Sequence, residues 1–515
     1  VPVLLAAAPI LLILITMTAF RWTAAFAGGA ALAVTVPIAL FAFGYGAPVA
    51  GEGGRAVALA GAFAEAGFVT ATVIWIIFPA LCIYEAQVRG GAFDTLRAAL
   101  ARLSDDPRIL ALLVAWFFAL FMEGVAGFGT PVALAAPLLV TLGFQPVAAV
   151  TLVLIGHAAG VSFGAVGTPV VPLEAASGLD PAAIAAAMGL MHGLLGWILL
   201  VFVVRIAGAA MPGANRRPVI GWATLAAAAF LVPFLAIAWF VGPELPTVAA
   251  ALLGGLAFAA AVRWRSRPSK TAANAAPSGA SPADGPPAGV LVRAAAPYLV
   301  LLVLVLATRL VPDLQALTRS VTLSWTIADT FRGTVQPLHH PGTLLFAGFL
   351  LGGLLQGRGA GDLAGAARAA ALRLPLVVLA LFAMLGIARL MMHAGMVDAL
   401  SSAAAAHLGP AWPLLAPLIG ILGTFVTGSS TASNILFADF QAATAAALGL
   451  PVLWIIAAQG FGSAVGNIVC PHNIIAGAAT VGLKGGEGEV LKRTLVACAL
   501  YALAGGVLTF VIVSL

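Results

Sequence analysis

The sequence predicts an all-α polytopic membrane protein of about twelve full spans. It is arranged as inverted repeats with two re-entrant helical hairpins and two broken transmembrane helices. Three observations predict this. The first is composition: of 515 residues, 62% are hydrophobic and only 8% charged, with a mean hydropathy of +1.11. A soluble protein carries about a quarter charged residues. The second is a pair of interruptions, Glu123-Gly-Val-Ala-Gly-Phe-Gly-Thr-Pro131 and Thr427-Gly-Ser-Ser-Thr-Ala-Ser-Asn434, which put polar, Gly-rich turns inside apolar sequence. Non-helical backbone cannot face lipid, so each turn must line a cavity or pack on protein. Matched interruptions in two halves of a chain point to a transporter's binding site. The third is the placement of Lys and Arg.

A full span takes about 20 apolar residues. Such runs lie near 3–20, 22–43, 57–84, 147–170, 183–206, 219–240, 247–263, 294–312, 342–356, 374–398, 452–482 and 491–513. The first, Val3 to Phe20, lacks the basic start and small-residue cleavage site of a secretory signal and reads as span one. Two further apolar blocks, 109–142 and 411–447, break midway and read as hairpins that enter and leave on one side. High Ala and Gly suits close helix packing in a bilayer.

The basic residues test the count. Arg21 follows span one, and Arg89, Arg97, Arg102 and Arg108 precede the first hairpin. Arg205, Arg216 and Arg217 follow span five, and Arg263, Arg265, Arg267, Lys270 and Arg293 bracket the longest polar loop. Arg358, Arg368 and Arg373 precede span ten; Lys484, Lys492 and Arg493 precede span twelve. With both hairpins re-entrant, all fall on one side, the cytoplasm by the positive-inside rule, and both termini lie outside. The segment 313–340, with Arg319 and Arg332, is the exception and is expected outside. The same count divides the chain. Residues 1–206 form a first repeat with a cytoplasmic hairpin at 109–142, and 219–263 a connecting helix pair. Residues 264–293 form a flexible cytoplasmic linker, and 294–515 a second repeat of opposite orientation with an external hairpin at 411–447. Gly164-Ala-Val-Gly167 before Pro169 echoes Ser463-Ala-Val-Gly466 before Pro471, and each is expected to break the span after its hairpin.

Helix N-termini at the two tips would present backbone N–H groups and a favourable dipole to an anion. At the second tip Ser429, Ser430, Thr431, Ser433 and Asn434 add hydrogen-bonding side chains; at the first, Gly127 and Gly129 allow close approach and Thr130 adds a hydroxyl. The alternative role for these residues is helix capping. Ionisable residues inside spans are costly and point to function. Arg389 could clamp a carboxylate in bidentate fashion, with His393 one turn on; an internal ion pair is the competing role. His157, mid-way along span four, could take a proton or donate to substrate, or pack as a hydrogen-bonded histidine. Glu123 opens the first tip and is a candidate proton carrier, as a carboxyl buried there can be. Asp439 and Glu65 could relay protons or form structural pairs. His472 and Asn473 follow Pro471 and are expected to face the site, whereas His192 begins a Gly-rich stretch with little claim to function. His339 and His340, adjacent in an outer loop, make a poor metal site.

Several classes are excluded. The net charge of +6 does not suggest nucleic acid, since the basic residues sit in connecting segments. Cys82, Cys470 and Cys498 have neither metal nor disulfide spacing. There is no P-loop, and Gly127-Phe-Gly129 has no βαβ context for a nucleotide fingerprint. No cofactor and no enzymatic residue set is expected. A channel would need a continuous polar pore, whereas the polar residues cluster at two tips and two breaks.

The segment Glu123 to Ala133, Phe163-Gly-Ala-Val-Gly-Thr-Pro169, Gly242-Pro-Glu-Leu-Pro246, Thr427 to Phe437 and the stretch Pro471 to Arg493 resemble the bacterial L-lactate permease family. The resemblance runs over nearly the whole chain. It implies a proton-linked symporter of 2-hydroxymonocarboxylates such as lactate and glycolate in the bacterial inner membrane. It further implies a homodimer in which a transport domain holding both hairpins moves against a scaffold, elevator fashion. Four positions depart from the family pattern: Ser430 stands for an Asp, Asn467 for a Lys, His157 for an Asn and His472 for a Gln. These departures leave room for another organic anion. Sodium coupling is the nearest alternative, because unwound carbonyls beside Ser and Asn can bind Na⁺.

Overall fold

Helix starts follow local chemistry in the computed structural model. It describes residues 2–20, 22–46, 54–101, 103–104, 106–127, 129–210, 219–265, 287–483 and 486–515. Asp106 accepts the backbone N–H of Arg108 at 2.9 Å ahead of a helix opening at Pro107. Asp180 accepts that of Ala182 ahead of Pro181. Each cap satisfies a donor with no intrahelical partner, and Pro has none to lose at the first position.

The first repeat runs through span one (Pro2–Thr18), span two (Ala24–Pro37, extended by a π-turn over Ile38–Ala42) and span three (Gly54–Arg89). Hairpin one follows, its arms ending at Val125 and starting again at Thr130, then Thr141. Span four is broken: Pro146–Gly156 bends by 44° into the segment 158–167, and a further helix covers Val170–Ser177. Span five bends by 42° between Pro181–Leu195 and Trp197–Ala209. Spans six and seven are Ile220–Phe240 and Pro246–Arg265.

The second repeat repeats the plan. Span eight is Ala288–Leu310, span nine Pro341–Leu355 and span ten Pro375–His393. Hairpin two has arms Trp412–Thr427 and Ser430–Ala447. Span eleven breaks between Val452–Gly466 and Pro471–Thr480, and span twelve is Glu487–Ser514. Among the described residues, 10 helices are long and apolar enough to cross a membrane, or up to 12 if each bent pair is one span. The linker expected at 264–293 falls largely on 266–286, outside the described residues.

The structure adds elements that the span count passed over. Span ten stops at His393 rather than near 398, and Gly395, at φ 74°, turns the chain into a separate helix Met396–Leu408. Gly409 (φ 45°, ψ −127°) then divides that helix from hairpin two. Short helices Ala92–Ala101 and Ala360–Leu372 precede hairpin one and span ten. The segment 313–340, expected outside, folds into a helix, Pro312–Arg319, and an antiparallel pair, Leu323–Ile327 with Phe331–Val335. That small sheet rests on span three. The Phe331 ring occupies the space that a Cβ at Gly61 would fill, and Trp325 meets Phe68 edge-on at 5.9 Å.

The main core runs through both hairpins and the broken spans. A second, smaller core joins spans one, two and ten, the start of span three and the helix Met396–Leu408. Hairpin two and span eleven approach each other closely. A Cβ at Gly462 would overlap the backbone of Pro417, and one at Gly420 the backbone of Gln459. Small residues allow such backbone contact in membranes, where packing rather than hydrophobic transfer drives association. Thr424 tightens the seam by donating to the Ser463 carbonyl at 2.7 Å, and Ser433 braces the two arms of hairpin two by donating to the Gly420 carbonyl at 2.8 Å. Gly462→Leu is therefore expected to cost at least about 1–3 kcal/mol through overpacking. Thermal unfolding in detergent should show a clear loss for Gly462→Leu and none for Gly488→Ala, whose Cβ would meet open space.

Candidate functional site

The tips of the two hairpins and the two broken spans meet around one cavity of about 30 Å³. Hairpin one supplies Glu123 and Gly127, and hairpin two supplies Gly428, Ser429, Ser430 and Thr431. Span four contributes Val161, Gly164, Ala165, Thr168 and Pro169, and span eleven contributes Asn467.

Each tip is shaped by left-handed backbone. Gly127 (φ 55°) and Gly129 (φ 79°) turn hairpin one, and Gly428 (φ 78°) turns hairpin two. A side chain is strained at these angles. The helix that follows the second tip starts with Ser429 as its cap, whose hydroxyl accepts the Ala432 N–H at 3.4 Å. Ser430 and Thr431 thus lie in the first turn of a buried helix, at its positive end and on the cavity wall. Ser430 also meets the Ser463 hydroxyl at 2.5 Å.

Span four opens for the same reason. After Gly156 it tightens into a 3₁₀ turn, Ala158–Phe163, and Ala165 and Val166 take φ of 42° and 54°. Left-handed φ at a β-branched residue is uncommon and marks a site held by its surroundings. The Thr168 hydroxyl answers the freed Ala165 carbonyl at 2.6 Å. The Asn434 amide of hairpin two donates to the Pro169 carbonyl at 2.8 Å, joining the two repeats.

Glu123 is the ionisable residue of the cavity wall, and it is 5% exposed. Its carboxylate lies where a Cβ at Gly164 would stand and faces Gly127. Behind it is His157, whose Nε2 is 3.9 Å from Glu123 Oε2. His157 Nδ1 is 2.6 Å from the Val153 carbonyl, which can only accept, so Nδ1 carries a hydrogen and Nε2 is the nitrogen free to exchange a proton toward Glu123.

The remaining expected residues go elsewhere. The Thr130 hydroxyl is spent on the Gly127 carbonyl at 2.7 Å. Gly129 packs toward Asn473, whose Nδ2 donates to Asn467 Oδ1 at 2.6 Å. Asn473 Oδ1 is buried with no hydrogen-bond partner among the described residues. His472 is exposed and covers Gly428 from outside the cavity wall. Ser433 and Asn434 turn into the hairpin-two seam, where Gln459 donates to both, rather than toward the cavity. Arg389 is not on the wall either: its Nε lies 4.0 Å from Glu65 Oε2, at the far end of span ten. Asp439 lies within electrostatic reach of Arg389, His393 and Glu65. His192 holds Ser162 at 2.8 Å and Tyr501 at 2.7 Å in a buried structural chain. Reading single residues missed Thr168 and Gly164 as wall residues. The signal for them was present in the Phe163–Pro169 break itself.

The model of the L-lactate permease family matches residues 2–515. The chain belongs to the L-lactate permease family. Its relatives include the glycolate permease GlcA of Escherichia coli K12, 28% identical over 98% of this chain and 94% of that one. The L-lactate permease of the same organism is 30% identical over 85% of this chain and 84% of its own. That of Streptococcus iniae is 29% identical over 88% and 93%. Among solved structures, Neisseria gonorrhoeae MtrF, described as one of a class of antimetabolite efflux pumps, aligns with a TM-score of 0.54 at 17% identity over 95% of both chains. The Alcanivorax borkumensis YdaH transporter aligns equally well, covering 94% of this permease and 98% of that chain. At that identity the likeness speaks of fold alone.

In this permease-family chain Gly164 is the position that makes room for the carboxylate. Gly164→Ala keeps an ordinary backbone angle (φ −61°) but puts a methyl group in the place of Glu123 Oε1. Uptake by reconstituted Gly164→Ala is expected to fall well below wild type while the protein keeps its size-exclusion profile.

Proposed function

We propose that the chain is a proton-coupled symporter of small carboxylates, lactate- and glycolate-like 2-hydroxymonocarboxylates, in the bacterial inner membrane. Family membership and the names of the relatives support the substrate class. One observation carries the coupling: a buried carboxyl, Glu123, shares a cavity with the start of the hairpin-two helix, and among the described residues neither Lys nor Arg lines that cavity.

Ser430 and Thr431 offer N–H groups, hydroxyls and a helix dipole to the substrate carboxylate. Glu123 stands across the same small space. Two ionised carboxylates cannot share such a site at low dielectric, so one proton must enter with the anion. The substrate and the proton then bind together or not at all. His157 Nε2, next to Glu123, is placed to pass that proton on, and Asp439 is a further candidate carrier on hairpin two. One proton with one monocarboxylate is electroneutral. The homodimer, the elevator motion and the outward termini follow the family resemblance and the distribution of basic residues. A sodium-coupled variant of the same reading is favoured by the buried Asn473 Oδ1, a carbonyl oxygen available to a cation near the first tip.

The deciding experiment is uptake of a carboxylate panel into proteoliposomes with pH and Na⁺ gradients imposed separately. Accumulation of L-lactate or glycolate under an inward proton gradient is expected, and accumulation only under a Na⁺ gradient would overturn proton coupling. Because binding takes up a proton, substrate affinity should weaken as pH rises. Glu123→Gln should make affinity independent of pH and abolish gradient-driven accumulation while leaving exchange. His157→Asn should shift the pH profile and keep some uptake; an unchanged profile in both variants removes the pair from the proton path. For orientation, cysteines replacing the exposed Gln145 and His407 should label from inside and outside respectively.

A further inference from the structure

The break in span eleven carries a side-chain pair that the mechanism above does not use. Asn467 closes the helix Val452–Gly466, and Asn473 stands in the first turn of the helix Pro471–Thr480. Asn473 Nδ2 donates to Asn467 Oδ1 at 2.6 Å and so ties the two half-helices together across the break. Asn473 is 1% exposed and Asn467 7%, and of the two it is Asn467 that lines the cavity. An amide has one accepting end and one donating end. The accepting end of Asn467 is taken by Asn473. Its donating end, Nδ2, has no hydrogen-bond partner among the described residues, yet it is not sealed in protein as Asn473 Oδ1 is. Asn467 therefore turns N–H groups toward the cavity. Other polar side chains on the wall are already engaged: Thr168 donates to the Ala165 carbonyl, and Ser430 meets the Ser463 hydroxyl. Ser463 lies one helical turn before Asn467 on the same face of span eleven, so the free amide stands about 5–6 Å along the wall from the contact that fixes Ser430.

A carboxylate held at the start of the hairpin-two helix would bring the group on its C2 carbon alongside that amide. We propose that Asn467 reads the C2 substituent of the cargo, donating Nδ2–H to its oxygen, with Asn473 as the positioning residue that keeps the amide turned that way. The proposal rests on the transport reading given above and widens its substrate class: 2-oxo acids are carried as well as 2-hydroxy acids. A hydroxyl oxygen and a ketone oxygen both accept an N–H. An amide turned the other way, with its oxygen on the wall, would serve the hydroxyl and refuse the ketone, which has no hydrogen to give. An acid with only C–H groups at C2 leaves the buried N–H unanswered, and a site built to bond an oxygen rejects the analogue that lacks it.

Three acids of like size test this in proteoliposomes near neutral pH, where all are ionised: L-lactate, pyruvate and propionate. In the wild type, pyruvate should inhibit labelled L-lactate uptake with a constant close to the L-lactate KM. Propionate should need a concentration about tenfold higher or more. Asn467→Ala should raise the constants for L-lactate and pyruvate toward that of propionate and leave the propionate constant where it was. Asn473→Ala should weaken pyruvate more than L-lactate, because an amide free to turn still serves a hydroxyl either way. A pair with a structural role alone would shift all three acids together, and that result in both variants overturns the proposal. The wild type is decisive without them, should neither variant insert: exclusion of pyruvate, or propionate as effective as L-lactate, overturns it too. L-lactate carried while pyruvate is refused removes this proposal and leaves the transport reading standing. L-lactate neither accumulated nor exchanged removes the transport reading, and the role of Asn467 with it.

Discussion

Everything at the centre of this molecule depends on one demand: backbone that leaves the helix inside an apolar bundle must find hydrogen-bond partners there. A buried polar group left without one costs about 1–3 kcal/mol. Two tips and two breaks free many carbonyls at once, and short polar side chains answer several of them. Thr130 serves Gly127, Thr168 serves Ala165, Thr424 serves Ser463 and Asn434 serves Pro169. The last two cross between elements, so the irregular stretches hold each other in place. A cavity walled by backbone and small hydroxyls is what remains between them.

The same demand explains which residues are left for chemistry. Ser433, Asn434 and Gln459 hydrogen-bond to one another, Ser433 to the Gly420 carbonyl and Asn434 to the Pro169 carbonyl, so their polarity is spent on the frame. Ser430 and Thr431, in the turn before, reach the wall. Glu123 differs in kind. It puts an ionisable group on a wall where, among the described residues, no Lys or Arg stands, and on the proposed reading that makes a proton a condition of binding.

Spans, hairpins and breaks were legible in the sequence because lipid imposes a coarse code of long apolar runs interrupted only where protein covers the gap. The finer errors have physical causes. Met396–Leu408 is not legible as an element of its own: its first three residues read as the end of span ten, and the rest, Ala-rich with polar residues between, as the connection to hairpin two. The outer sheet was readable from the alternation in Leu323-Ser-Trp-Thr-Ile327, a period of two that a search for spans does not seek. The echo Ser463-Ala-Val-Gly466 stayed helical, and span eleven broke just after it, at Asn467–Cys470. The backbone needs room as well as Gly to unwind, and Gly466 is pressed against the first arm of hairpin two. Arg389 showed that an arginine inside a bundle reports a buried partner without saying which; Glu65, on another span, could be found only by folding.

Among the described residues no Lys or Arg stands on the cavity wall, and this has a consequence for valence. A fixed cation would hold an anion in any protonation state and could tolerate a second charge on the cargo. One protonatable carboxyl can take up one proton, which removes its own negative charge and no more. A doubly charged acid of similar size would bring an excess charge that nothing on the wall could neutralise. On the proposed reading, cargo is sorted by counting charges, and the small polar wall can afford to be permissive about carbon skeletons.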